Sequence, residues 1–143
     1  MYDRILLPTD GSAGTNPAVD QAVSLAEETG AELHALFVVE DIPYAPEMMD
    51  DQVEATLRTI GEEAIENIRS KAAEADVELV TEIRDGTPHR SILDYADDAG
   101  CDLIVMGTHG RSGLDRYLLG SVTERIVRTA DVPVLTVRKT DDE

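Results

Sequence analysis

Cysteine is almost absent from this sequence: Cys101 stands alone among 143 residues. No disulfide framework can form, and a reducing compartment, the cytosol, is expected. Cys101 itself reads as a small buried hydrophobe. Long apolar runs are missing too, since no stretch approaches the roughly 20 residues that a spanning helix needs. The opening Met1-Tyr2-Asp3-Arg4-Ile5-Leu6-Leu7-Pro8 has no basic segment followed by a long apolar run. It reads as a first strand and not as a signal peptide. Lysine is scarce: Lys71 and Lys139 are the only two, and the other bases are arginine. Without a basic patch to neutralise phosphates, nucleic acid is not expected as a partner.

Acid is what the chain has in excess. Thirty acids face 12 bases, a formal net charge of −18. They gather in pairs such as Glu27-Glu28, Glu62-Glu63 and Asp97-Asp98, read as solvated faces. Such a surface repels itself in dilute buffer. At molar salt, with a Debye length of about 3 Å, most of that repulsion is screened. The composition resembles that of proteins from salt-accumulating, halophilic microbes. The 42% of apolar residues suffices for one core, and a single domain over 1–143 is expected.

Strand and helix signals alternate along the chain. Ile5-Leu6-Leu7 forms a first strand, ending in the turn-rich Pro8-Thr9-Asp10-Gly11-Ser12. Asn16-Pro17 starts a helix that Gly30 stops. A second strand spans about Glu32 to Val39. Asp41 to Pro46 reads as a loop, and the Met48-Met49 pair after it as packing. Val53, Leu57, Ile60, Ala64, Ile68 and Ala72 mark a long amphipathic helix. Val77 to Ile83 alternates as a third strand. Thr87-Pro88 repeats the cap-and-proline signal, and Gly100 ends that helix. Cys101 to Met106 reads as a buried parallel strand, Ser121 to about Ala130 as a helix, and Pro133 to Val137 as a last strand. The predicted fold is α/β, a doubly wound five-stranded parallel sheet. Such sheets bind ligands outside the carboxyl ends of their strands, where strand order reverses.

The segment from Gly107 to Gly120 lies at such an end and leads into a helix. Gly107 and Gly110 let main-chain amides approach an anion closely. Gly120-Ser121 opens a helix whose unpaired amides and dipole favour phosphate. Ser121 and Thr123 bring hydroxyl donors there, and Arg111 a mobile cation. No Gly-Lys-[Ser/Thr] of a Walker A loop occurs, and the three-residue spacing of Gly107, Gly110 and Gly113 is not the dinucleotide fingerprint. Spacing alone leaves two readings open, a phosphate cradle and a glycine-shaped turn.

Five blocks add to this: Ile-Leu-Leu-Pro-Thr-Asp-Gly-Ser at 5–12, Gly-Thr-Pro at 86–88, Asp-Leu-Ile-Val-Met-Gly-Thr-His-Gly at 102–110, Gly-Ser-Val-Thr at 120–123 and Pro-Val-Leu-Thr-Val at 133–137. With Gly107-x₂-Gly110-x₉-Gly120-Ser121, the chain resembles the ATP-binding branch of the universal stress protein family over essentially its whole length. The resemblance implies strand order 3-2-1-4-5 and ATP as ligand, with or without Mg²⁺. It implies that Pro8, Thr9 and Asp10 line the nucleotide, that Val38 and Met106 meet adenine, and that Gly107, His109 and Gly110 border ribose and phosphates. Gly120, Ser121, Val122 and Thr123 would hold the phosphates, with Arg111 in reach. It also implies a homodimer paired through Val134 to Val137, in keeping with an apolar edge strand.

Among single residues, Asp10 reads either as a ligand contact or as a cap of its turn. A phosphoacceptor role fails, because neither lysine sits at a late strand end. His109 is the one candidate water-activating base, with no second acid beside it, so an enzyme would be at most a weak ATPase. Three scattered histidines argue against a zinc site. A protein-interaction dimer with a vestigial pocket is the remaining alternative.

Overall fold

The nine elements run β1 (Arg4–Thr9), α1 (Asn16–Thr29), β2 (Glu32–Glu40), α2 (Asp51–Glu74), β3 (Leu79–Gly86), α3 (Pro88–Ala99), β4 (Leu103–Gly107), α4 (Ser121–Thr129) and β5 (Val134–Val137). They belong to a computed structural model that describes residues 2–11, 16–40, 51–108 and 120–138. The strands form one parallel sheet, as the sequence predicts, in the order β3-β2-β1-β4-β5 that the family resemblance implies. Order reverses between β1 and β4, so the crevice above these two strands is the switch point of the fold.

Each face of the sheet carries its own core. On one face Ile5, Leu7, Leu33, Ala35 and Val105 pack under α1 (Ala18, Val19, Ala22) and Ile68 of α2. On the other, Leu6, Leu36, Ile104 and Met106 pack under α3 (Ile92, Tyr95, Ala96) and Ile126 of α4. Central strands buried on both sides explain the unbroken apolar runs in β1 and β4. Cys101 lies in the second cluster. Burial, with the Asp102 charge, pushes its thiol up to about 11, as suits an inert packing residue. His34 is buried as well, its Nδ1 2.7 Å from the Tyr95 hydroxyl and its Nε2 donating to Glu32 at 2.7 Å.

Three helices stop by one device. Gly30 and Gly100 take positive φ, and the amides of Ala31 and Cys101 turn back to the carbonyls of Ala26 and Ala96. At the end of α2 the left-handed residue is Asp76 (φ 58), and the amide of Val77 bonds to Ala72. This closure, a Schellman motif, takes Val77 out of the strand predicted to begin there. β3 starts at Leu79 and runs on to Gly86. At α3, Thr87 is extended with Pro88 following, yet its side chain makes no capping bond; its carbonyl accepts from Ser91. The loop expected at 41–46 and the Met48-Met49 pair lie outside the described residues. Among the described residues no helix is long and apolar enough to cross a membrane.

Candidate functional site

Strand register sets the rim of the crevice. Thr9 pairs with Phe37 of β2, and Gly107 of β4 with Val137 of β5. Continuing the Leu6↔Ile104 register brings Thr9 level with Gly107. Val38, Asp10 and Thr108 therefore stand one residue above this row, Asp10 and Thr108 just past the carboxyl ends of β1 and β4 and Val38 within β2, two residues before its end at Glu40.

Pro8 opens the rim. The Arg4 carbonyl accepts from Asp102, on the β4 side, whereas the Asp3 carbonyl accepts from Glu32, on the β2 side. With a period of two, Leu6 and Pro8 also face β4. Pro8 has no N–H to give, and the β1–β4 pairing ends at Leu6 while the β1–β2 pairing continues to Thr9. This corrects the expected end of the first strand at Leu7: proline interrupts one ladder only. The strand then closes in a turn in which the Gly11 amide donates to the Thr9 hydroxyl at 3.1 Å. Gly11 needs its missing Cβ: φ is +81°, and an added carbon would lie 2.6 Å from Cγ2 of Ile60 in α2.

On the β4 side the described residues form a tied neck. The Gly120 amide donates to the Thr108 carbonyl at 2.7 Å, and the Thr108 amide to Val137 at 3.1 Å. The Thr123 hydroxyl donates to the Gly107 carbonyl at 2.9 Å in a buried bond. Thr123 thus fixes the start of α4 against the tip of β4, and its hydrogen is not on offer to a ligand. That corrects the expected free donor; Ser121, exposed, carries the other hydroxyl. Gly120 is extended (φ −60, ψ 152) before α4. The Glu124 amide already bonds to Gly120, which leaves the amides of Ser121, Val122 and Thr123 as the first-turn donors without helical acceptors.

Of the remaining predicted residues, Met106 is buried and Val38 partly buried in the cluster beneath the crevice. Asp10 is half-buried at its mouth. His109, Gly110 and Arg111 lie outside the described residues. Among the described residues no group of three or more His, Cys, Asp or Glu is placed to hold a metal ion. One pair escaped the sequence reading: Arg125 of α4 lies 3.3 Å from Nε2 of His89 in α3. The i, i+4 relation of Ser121 and Arg125 was its only signal.

An open, doubly wound parallel sheet whose strand order reverses beside a helix start is the Rossmann-like class of α/β protein. Residues 1–138 match the Universal stress protein family, and the chain belongs to it. Universal stress protein MJ0531 of Methanocaldococcus jannaschii is 38% identical over 146 residues, spanning 100% of this chain and 86% of the relative. The solved structure of MJ0577, from the same organism, has a TM-score of 0.80 at 29% identity and covers 99% of each chain. A universal stress protein in complex with cAMP has a TM-score of 0.71 at 27% identity, covering 97% of this chain and 98% of the other.

Proposed function

We propose that this chain is a cytoplasmic ATP-binding regulator of the stress response, and that it holds the nucleotide in the crevice between β1 and β4. The observation that supports the reading is the neck at Thr108, Gly120 and Thr123, which holds the start of α4, with its first-turn amides, against the tip of β4 beside the switch point. Adenine would sit over Val38 and Met106, beside Asp10. The triphosphate would lie at Gly107 and at the Ser121–Thr123 amides, with His109, Gly110 and Arg111 supplying the facing loop. The cAMP-bound relative supports an adenine nucleotide as the ligand class. Any Mg²⁺ would arrive on the phosphates, with Asp10 the nearest carboxylate. Regulation is proposed over hydrolysis because, in the sequence, His109 is the one candidate water-activating base and no acid stands beside it. β5 lies at the edge of the sheet, and the exposed Leu135 and Val127 support pairing of two copies through Val134 to Val137.

Calorimetric titration with ATP tests the reading. Saturable binding is expected, with affinity rising from dilute buffer to molar KCl as repulsion between ATP and a chain of charge −18 is screened. Absence of heat at every salt concentration would defeat the nucleotide reading. A steady fall in affinity with KCl would defeat the account of the charge.

A further inference from the structure

We propose that Arg125, held by His89, is the residue that distinguishes a nucleoside triphosphate from a monophosphate in this crevice. The inference rests on the nucleotide reading above and assigns a specificity residue within it.

Arg125 follows Ser121 by four residues, so the two share one face of α4. It lies about 6 Å further along the axis. Helical side chains lean back toward the N-terminus, which directs the guanidinium to the α4 tip. Its Nη1 lies 3.3 Å from Nε2 of His89, the second residue of α3. The contact spans the seam between the two helices near their starts. The first turn of α3 contains no acid.

Most of the described cations are paired with acids; Arg90, Arg125 and Arg138 are not, and of these three Arg125 alone lies in α4. Arg4, Arg58, Arg69, Arg84, Arg128 and Lys71 each lie within 4.0 Å of a carboxylate: Glu32, Asp85, Glu66, Glu82, Glu124 and Asp20 respectively. Among the described residues Arg125 meets an imidazole instead. Glu124, the one acid in the first turn of α4, is paired with Arg128 a turn further on. In a sequence with 30 acids, the start of α4 thus keeps a cation that no carboxylate among the described residues pairs with. Arginine has five donors, so a bond to His89 leaves others for an anion. A single phosphate is satisfied by the amides of Ser121 to Thr123. A longer phosphate chain, continuing along the Ser121 face, meets Arg125.

The test compares ATP and AMP by calorimetry at about 2 M KCl, where a Debye length near 3 Å or less leaves mainly contact effects. Arg125→Gln is expected to weaken ATP about tenfold, the scale of one charge-assisted hydrogen bond, and to leave AMP within about twofold. Arg125→Lys should retain part of the preference. Arg128→Gln, which removes the same charge one turn away, should leave the ATP-to-AMP ratio unchanged. Equal losses for both nucleotides in Arg125→Gln, or no loss, would overturn the assignment while leaving the nucleotide reading standing. A wild-type protein that binds neither nucleotide would overturn both.

Discussion

Replacing Gly120 by aspartate is expected to abolish ATP binding and leave the protein folded. Gly120 has φ −60 and ψ 152, extended values open to any residue. Aspartate is among the best residues to precede a helix, and its charge suits the helix dipole. Gly120 is buried, so the gain from a better cap is set against the cost of burying a carboxylate, and a modest fall in Tm is compatible with a folded variant. Its carboxylate would compete for the amides of Ser121 to Thr123 and meet the triphosphate as a like charge. A loss of roughly a hundredfold or more in affinity follows if two charge-assisted hydrogen bonds are forfeited. Gly120→Asn, equal in size and capping strength but uncharged, separates charge from bulk and should bind better than Gly120→Asp. Calorimetry on both, with thermal melts as the folding check, decides. Wild-type affinity in Gly120→Asp would contradict the placement of the phosphates.

The second large effect reverses a familiar sign. Glycine inside a helix costs about 1 kcal/mol relative to alanine, so Gly61→Ala in the middle of α2 would ordinarily stabilise. Here an added Cβ would lie 2.5, 2.8 and 2.9 Å from Cδ1, Cγ and Cε1 of Phe37. Phe37 is fully buried beside Val39 and Ile65, with Leu57 and Ile60 of α2 packed against it. The ring cannot swing into solvent, and overpacking of this kind costs about 1–3 kcal/mol. Set against the roughly 1 kcal/mol that alanine gains in the helix, we expect a net loss of about 1 kcal/mol, or roughly 2–4 °C in Tm for a chain of this size. Phe37→Leu in the Gly61→Ala background should recover part of it, a coupling that a double-mutant cycle measures. A Tm equal to or above wild type would show that α2 does not approach β2 so closely.

Why the fold was so legible is visible in particular residues. Doubly buried strands such as Ile104-Val105-Met106 and glycine stops at Gly30 and Gly100 are strong local signals, and they fixed the order and type of every element. Errors arose where a partner strand or a non-glycine residue decided the outcome. β1 runs past Leu7 because β2 still pairs with Pro8 and Thr9, which no local pattern reveals. β3 starts late because Asp76 takes the left-handed position that glycine usually fills. At the site, the strand tips and the start of α4 were readable from Gly107, Gly120 and Ser121. The inward bond of Thr123 to Gly107 was not, since a hydroxyl in sequence carries no direction. Nor was the meeting of His89 with Arg125, which depends on two helices packing side by side on one face of the sheet.

Backbone amide shifts followed during ATP titration test the central claim most directly. The account predicts that the largest changes fall on Ser121, Val122 and Thr123, with smaller ones at Asp10, Gly11 and Val38, and little at the opposite strand ends around Asp3, Glu32 and Glu78. Changes centred on those opposite ends, or none at saturating nucleotide, would contradict it.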